Sequence, residues 1–186
     1  MQHTYSIVFQ PNHEIVMQLK QYKNMLADRI GWFHSKNSLA HITIAEFNAS
    51  DEQLPIFTKQ LERIADSVDP FTVLLDHFST YPNGALFIAP DLFSKEKLLP
   101  IMKRFHKETR FTLQHKSSDP HLSIARKLTK EQLQVAEEIF IDCHIEFECS
   151  HIVLRKLDLD TKQFINVNTF SFNSNKEFEV IQTSLF

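Results

Sequence analysis

The stretch Ser38-Leu39-Ala40-His41-Ile42-Thr43-Ile44-Ala45-Glu46-Phe47 has a second version later in the chain, Asp119-Pro120-His121-Leu122-Ser123-Ile124-Ala125-Arg126. Both read His, apolar, hydroxyl, Ile, Ala. The β-branched and aliphatic residues alternate with polar ones, which predicts two short β-strands. Residues two apart on a strand share a face. His41 and Thr43 are therefore expected to project together, with Ile42 and Ile44 turned into a core. In the second copy His121 and Ser123 pair in the same way, with Leu122 and Ile124 opposite. Ala45 and Ala125 are expected to follow on the polar face, where their small size leaves room beside the imidazoles. Two such His–hydroxyl pairs facing each other would hold an oxyanion between them.

The context repeats along with the motif. Tyr5 to Pro11 is an apolar strand ending in Pro, and His41 follows thirty residues after Pro11. Ala85 to Pro90 is another such strand, and His121 follows thirty-one residues after Pro90. A helical stretch fills each gap and another follows each His strand, so about half the chain is read as an internal duplication.

These residues, His41-Ile42-Thr43-Ile44 and His121-Leu122-Ser123-Ile124, resemble the HxTx motifs of the two-histidine (2H) phosphoesterase superfamily. Within it they resemble the bacterial 2'-5' RNA ligase or cyclic phosphodiesterase group. The duplicated frame extends the likeness from about Tyr5 to Phe172. Ser123 stands where many members carry Thr and keeps the hydroxyl. The resemblance implies an α+β, bilobal duplicated fold with pseudo-two-fold symmetry. Two mainly antiparallel sheets would line a central cleft, with helices outside and the motifs facing each other across it.

Composition sets the remaining bounds. A chain of 186 residues with 17 Phe can build one compact two-lobed domain over residues 1–186. No apolar run approaches a membrane span and no signal peptide is visible, so a cytoplasmic monomer that does not engage a membrane is expected. Cys143 and Cys149 fit no common zinc spacing and sit badly for a disulfide. Only Gly31 and Gly84 are present, too few for a P-loop or a dinucleotide fingerprint. A bound phosphate must therefore be held by side chains. Net charge is −3, yet Lys95 to Lys130 carries ten basic residues against three acidic ones, around the second motif. That stretch favours an anionic partner.

In chain order, the pattern predicts a strand over Thr4–Gln10 and a helix from Pro11 to about Ile30. A loop spans Gly31–Asn37, whose Trp32 is assigned to packing, with lining of the cleft as its other role. A helix capped near Ser50 runs to Asp66. Phe71–Ser79 and Ala85–Ala89 form a hairpin around Tyr81-Pro82-Asn83-Gly84. A helix covers Ser94 to Thr109, with a short extended segment at Phe111–Leu113. Thr129 caps a helix to Phe140. Ile145–Leu157 is read as one long strand and Gln163–Phe172 as the last. The tail from Asn173 receives no assignment.

Opening a 2',3'-cyclic phosphodiester requires a base for water, an acid for the leaving ribose oxygen, and donors for the charged non-bridging oxygens. His41 and His121 would be the acid–base pair, one neutral and one protonated, near a reference pKa of about 6.5. Thr43 and Ser123 would donate to the phosphate. The same groups serve the reverse reaction with a 5'-hydroxyl, and no metal or other cofactor is called for. Arg126 is a further phosphate ligand if a bulge turns it inward, since strict alternation puts it on the Leu122 face. Phe9 and Phe47, near strand ends, are candidates to stack a base, although with so many Phe in the chain core packing is the preferred role for each. The expected partner is an RNA end or a small cyclic nucleotide. The alternative is a non-catalytic RNA or nucleotide binding module using the same cleft.

Overall fold

The computed structural model describes residues 1–176. The order is β1 (Gln2–Phe9), α1 (His13–Ile30), β2 (Ile42–Ser50), α2 (Leu54–Asp66), β3 (Phe71–Tyr81), β4 (Ala85–Pro90), α3 (Leu92–Glu108), β5 (Leu113–Lys116), β6 (Leu122–Ala125), α4 (Lys130–Ile139), β7 (Ile145–Cys149), β8 (His151–Asp158) and β9 (Gln163–Ser171). Local chemistry sets the helix starts. Asn12 Oδ1 accepts from Ile15 N, and Asp91 Oδ1 accepts from Ser94 N. Ser50 and Gln53 bond reciprocally before α2, and Thr129 and Gln132 form a capping box at α4. Gly84 has φ +79°, and a Cβ there would lie 2.2 Å from the Leu128 carbonyl oxygen, so this hairpin turn admits only glycine.

The α+β architecture is as expected, with every strand pairing antiparallel. Instead of forming two separate sheets, the strands join into one of order β7-β3-β4-β6-β2-β1-β8-β9, with β5 added on β2. The two motif strands meet at a single residue pair, Ile42 with Leu122, while β5 also pairs across onto β2 and His34 bridges Arg126. Outward from that pair each half has the same sequence of strands. The motif strand comes first, then the Pro-terminated strand that precedes it by one helix, then two more. The core lies on the face carrying Tyr5, Ile7, Phe9, Ile42 and Ile44, packed with Leu19, Leu26, Leu61, Ile64, Leu98 and Phe105 from the helices.

One expected strand is two. Ile145–Leu157 breaks at Ser150 because β7 pairs with β3 in one half and β8 pairs with β1 in the other. The chain crosses between halves there, and the Ser150 carbonyl instead accepts from Phe172 N at 2.8 Å. The tail beyond Lys176 lies outside the described residues. Among the described residues no helix is long and apolar enough to cross a membrane.

Candidate active site

Both motif strands carry a β-bulge at the same place. On β2, Thr43 pairs with Val8 and Ala45 with Ile7, leaving Ile44 unpaired. On β6, Ser123 pairs with Phe87 and Ala125 with Leu86, leaving Ile124 unpaired. The spare carbonyls are satisfied: Ile44 O accepts from His106 Nε2 and Ser117 N, and Ile124 O from Ser35 Oγ. An extra residue reverses the alternation beyond it. Ala45 and Ala125 are therefore buried in the core, not placed beside the imidazoles. Glu46 and Arg126 take over the face of the histidines, and both line the cleft. The bulge is what brings Arg126 to the site, and in the first copy the corresponding position is an acid.

The central pair orients the rest. With Ile42 opposite Leu122 in an antiparallel register, Thr43 lies opposite His121 and His41 opposite Ser123. The two histidines are then diagonal neighbours, a relationship that spans about 7–8 Å in a regular ladder. All four motif side chains leave the sheet on the face away from Ile42 and Leu122.

The imidazoles are held alike. His41 Nδ1 lies 2.5 Å from Leu39 O, and His121 Nδ1 lies 2.9 Å from Asp119 O. A carbonyl only accepts, so each Nδ1 carries a proton and each Nε2 is left for a ligand. The Thr43 and Ser123 hydroxyls have no hydrogen-bond partner among the described residues, so both are free to donate.

Their surroundings differ. His41 is 8% exposed, and burial together with the Arg155, Lys23 and Arg126 charges holds its pKa well below the usual histidine value. His121 is half-buried and also lowered, chiefly by burial, but the Asp119 carboxylate and carbonyl oppose that shift. The Asp119 carboxylate accepts from the Tyr81 hydroxyl and pairs with Lys95 Nζ at 2.6 Å, while Tyr81 Oη also lies 3.4 Å from His121 Nδ1. Phe87 packs on the His121 ring, 4.9 Å between centroids. His41 is thus the ring that stays neutral and His121 the ring that more readily carries a proton.

A cleft of about 690 Å³ opens beside His41, lined by Trp32, His34, Glu46, Arg126, Arg155 and Phe164 among others. Trp32 is 66% exposed and meets His34 edge-on, so its place is the cleft rim and not the core. Phe9 and Phe47 are both fully buried. Phe9 packs on Phe172, and Phe47 on Tyr5, Phe57 and Phe111. No base reaches either ring, because both lie on the helix side of the sheet. Residues not singled out from sequence are Arg155, Glu46, Tyr81 and Lys95. Lys23 is another, a 2% exposed side chain whose Nζ donates to Ser35 O, Ser38 O and Ser38 Oγ and so pins the loop ahead of His41. Among the described residues no three His, Cys, Asp or Glu side chains cluster as metal ligands.

The fold is shared with solved proteins. TT0787 of Thermus thermophilus superposes with a TM-score of 0.60 at 19% identity, over 94% of this chain and 100% of that one. Escherichia coli LigT complexed with 3'-AMP gives 0.69 at 11% identity, over 92% and 99%. Usb1 of Kluyveromyces marxianus gives 0.54 at 10%, over 91% and 97%. At such identities the likeness concerns the fold alone. Among curated proteins no sequence matches. The family model of the 2'-5' RNA ligase superfamily, however, matches residues 18–161, a span holding both His–hydroxyl motifs, both bulges and Arg155, and the chain belongs to that superfamily of 2H phosphoesterases.

Proposed function

We propose that the chain is a metal-independent phosphoesterase acting on a 2',3'-cyclic phosphate or 2',5'-linked phosphodiester of an RNA end or small nucleotide. The observation that carries this is the matched tethering of His41 and His121 through Nδ1, on either side of one residue pair, with both Nε2 atoms left unpartnered.

The reacting phosphate sits between the two Nε2 atoms. His41, neutral, takes the proton of the attacking water. His121, protonated and favoured in that state by Asp119, gives its proton to the leaving ribose oxygen as the P–O bond breaks. Thr43 and Ser123 donate to the non-bridging oxygens, and Arg126 offsets their charge. With a 5'-hydroxyl in place of water as the nucleophile, His41 takes the hydroxyl proton as the new P–O5' bond forms and His121 protonates the ribose 3'-oxygen as its P–O bond breaks, which makes 2'-5' ligation accessible to the site.

The test is turnover of nucleoside 2',3'-cyclic phosphates and 2',5'-linked dinucleotides by the full chain in excess chelator. Product formation is expected to persist. Loss of all activity in chelator, restored by one divalent ion, overturns the mechanism. Tight, salt-dependent RNA binding with no turnover of any of these compounds supports a binding module instead.

A further inference from the structure

The cleft is lopsided. Its volume lies on the His41 side, and His121 is not among its lining residues. A single phosphate between two imidazoles leaves most of about 690 Å³ for something else, a size common for small-molecule sites of about 300–1,000 Å³.

Arg155 forms part of this wall. It lies on β8 across from Ser6 on β1, which in turn pairs with Glu46 on β2, so the three residues make one row across the sheet. Arg155 is 3% exposed. Its Nη2 donates to Ser6 Oγ at 3.2 Å, its Cζ lies 5.1 Å from the Phe164 ring centroid, and its Nε has no acceptor among the described residues. Glu46 is the acid whose field it feels, yet no carboxylate lies within ion-pair distance among the described residues.

Lys23, the other buried cation near the site, provides the contrast. Its three protons meet three acceptors, all of them serine oxygens of the loop it pins. Lys23 is satisfied by the fold; Arg155, with five donors in a planar fork, is not. A buried cation without a counter-ion is costly, because burial strips its hydration and nothing in the fold replaces it. A packing role would be served as well by an uncharged side chain of that length. Arg126 and Lys127 line the same cleft, and Trp32 and Phe164 give it flat apolar surfaces.

We propose that Arg155 anchors a second phosphate subsite in this cleft, holding a phosphate of the ligand other than the one between His41 and His121. The subsite rests on the phosphoesterase reading for the position of the first phosphate. Its ligand is a nucleotide bearing two phosphates. The second is either a 5'-phosphate on the same nucleoside or the next phosphodiester of a chain. Phe164 and Trp32 would flank the sugar and base between the two phosphates.

The test is calorimetric titration of the full chain with adenosine 3'-monophosphate, adenosine 3',5'-bisphosphate and the 3'-phosphorylated dinucleotide ApAp. In the wild type at least one of the doubly phosphorylated ligands is expected to bind about tenfold or more tightly than the monophosphate, the worth of one charge-assisted hydrogen bond. Which of them does so identifies the source of the second phosphate. In Arg155→Met the three dissociation constants are expected to converge. Equal affinities in the wild type, no binding of any ligand, or a gain that survives Arg155→Met overturns the subsite. Should Arg155→Met fail to fold, Arg155→Lys keeps the charge without the fork and is expected to shrink the gain. The wild-type comparison stands by itself in either case. These titrations need no turnover, so a chain that hydrolyses nothing yet shows the affinity ladder separates failure of the catalytic reading from failure of this one.

Discussion

Ile42 and Leu122 are the only residues through which the two motif strands pair, and their shared register places His41 and His121 diagonally on the opposite face of the sheet. The candidate site is therefore built at the seam where the two motif strands meet, and each strand contributes one ring, one hydroxyl and one bulge.

Removing either ring should disable the concerted transfer. His41→Ala and His121→Ala are each expected to lower turnover by about 10²- to 10⁴-fold, and the double variant to be little worse than either single one. Thr43→Val and Ser123→Ala should cost about 2–4 kcal/mol each in transition-state stabilisation. Single-turnover rates on one 2',3'-cyclic nucleotide check all five. Full activity in either His→Ala variant, with circular dichroism unchanged, would show that the seam is not the reacting centre.

Arg126 pushes the pKa of both imidazoles down. Replacing it with Gln removes a positive charge that opposes protonation, so both rings should titrate at higher pH. Histidine NMR in the free protein reads this directly. Movement of only one ring would mean that the guanidinium does not sit between them.

The features legible in the sequence were those with a repeated motif or a local chemical signal. The His–hydroxyl pairs come from the first, and the capping residue Thr129 and the Gly84 turn from the second. The bulges at Ile44 and Ile124 were not legible, because an apolar residue at that position reads the same whether or not it is paired. They alone decide that Ala45 packs in the core and that Arg126 turns to the face of the histidines, where it lines the cleft. Arg155 was hidden for a related reason. Ile152, Val153, Leu154 and Arg155 are all buried, so β8 shows no alternation by which a functional face could be picked out. Its neighbours in space, Ser6 and Glu46, belong to β1 and β2, and nothing local announces that the chain changes halves at Ser150.

Acid should destabilise the fold before the carboxylates titrate. His41, His121 and His151 all have folded pKa values below the unfolded value of about 6.5, so the unfolded chain binds more protons in that range. Stability is therefore full above about 6.5 and falls as pH drops toward the folded values. For the buried His41 ring, each pH unit of that gap is worth about 1.4 kcal/mol. Urea midpoints at pH 7.5 and 5.0 should show the decline, and His41→Gln should flatten it. A midpoint that holds between these pH values would contradict the burial of a neutral ring.

The two halves also differ in what stands behind each imidazole, and this fixes the shape of the pH–rate profile. The proposed mechanism uses His41 neutral and His121 protonated, so kcat/KM should be bell-shaped with its maximum on the acid side of 6.5, since both rings are lowered. The two apparent pKa values belong to the coupled pair, but the alkaline limb reports mainly the loss of the acid. Asp119 favours the imidazolium of His121 through its carboxylate, while Lys95 Nζ, 2.6 Å from that carboxylate, partly neutralises it. Asp119→Asn should therefore move the alkaline limb to lower pH. Lys95→Met, which leaves the Asp119 charge unopposed, should move it to higher pH. Neither should shift the acid limb by a comparable amount, because His41 answers to Arg155, Lys23 and Arg126 and not to Asp119. Opposite movements of one limb from two neighbouring substitutions cannot come from a general loss of packing. If both variants move the limb the same way, or if the acid limb moves instead, the assignment of His121 as the general acid is wrong.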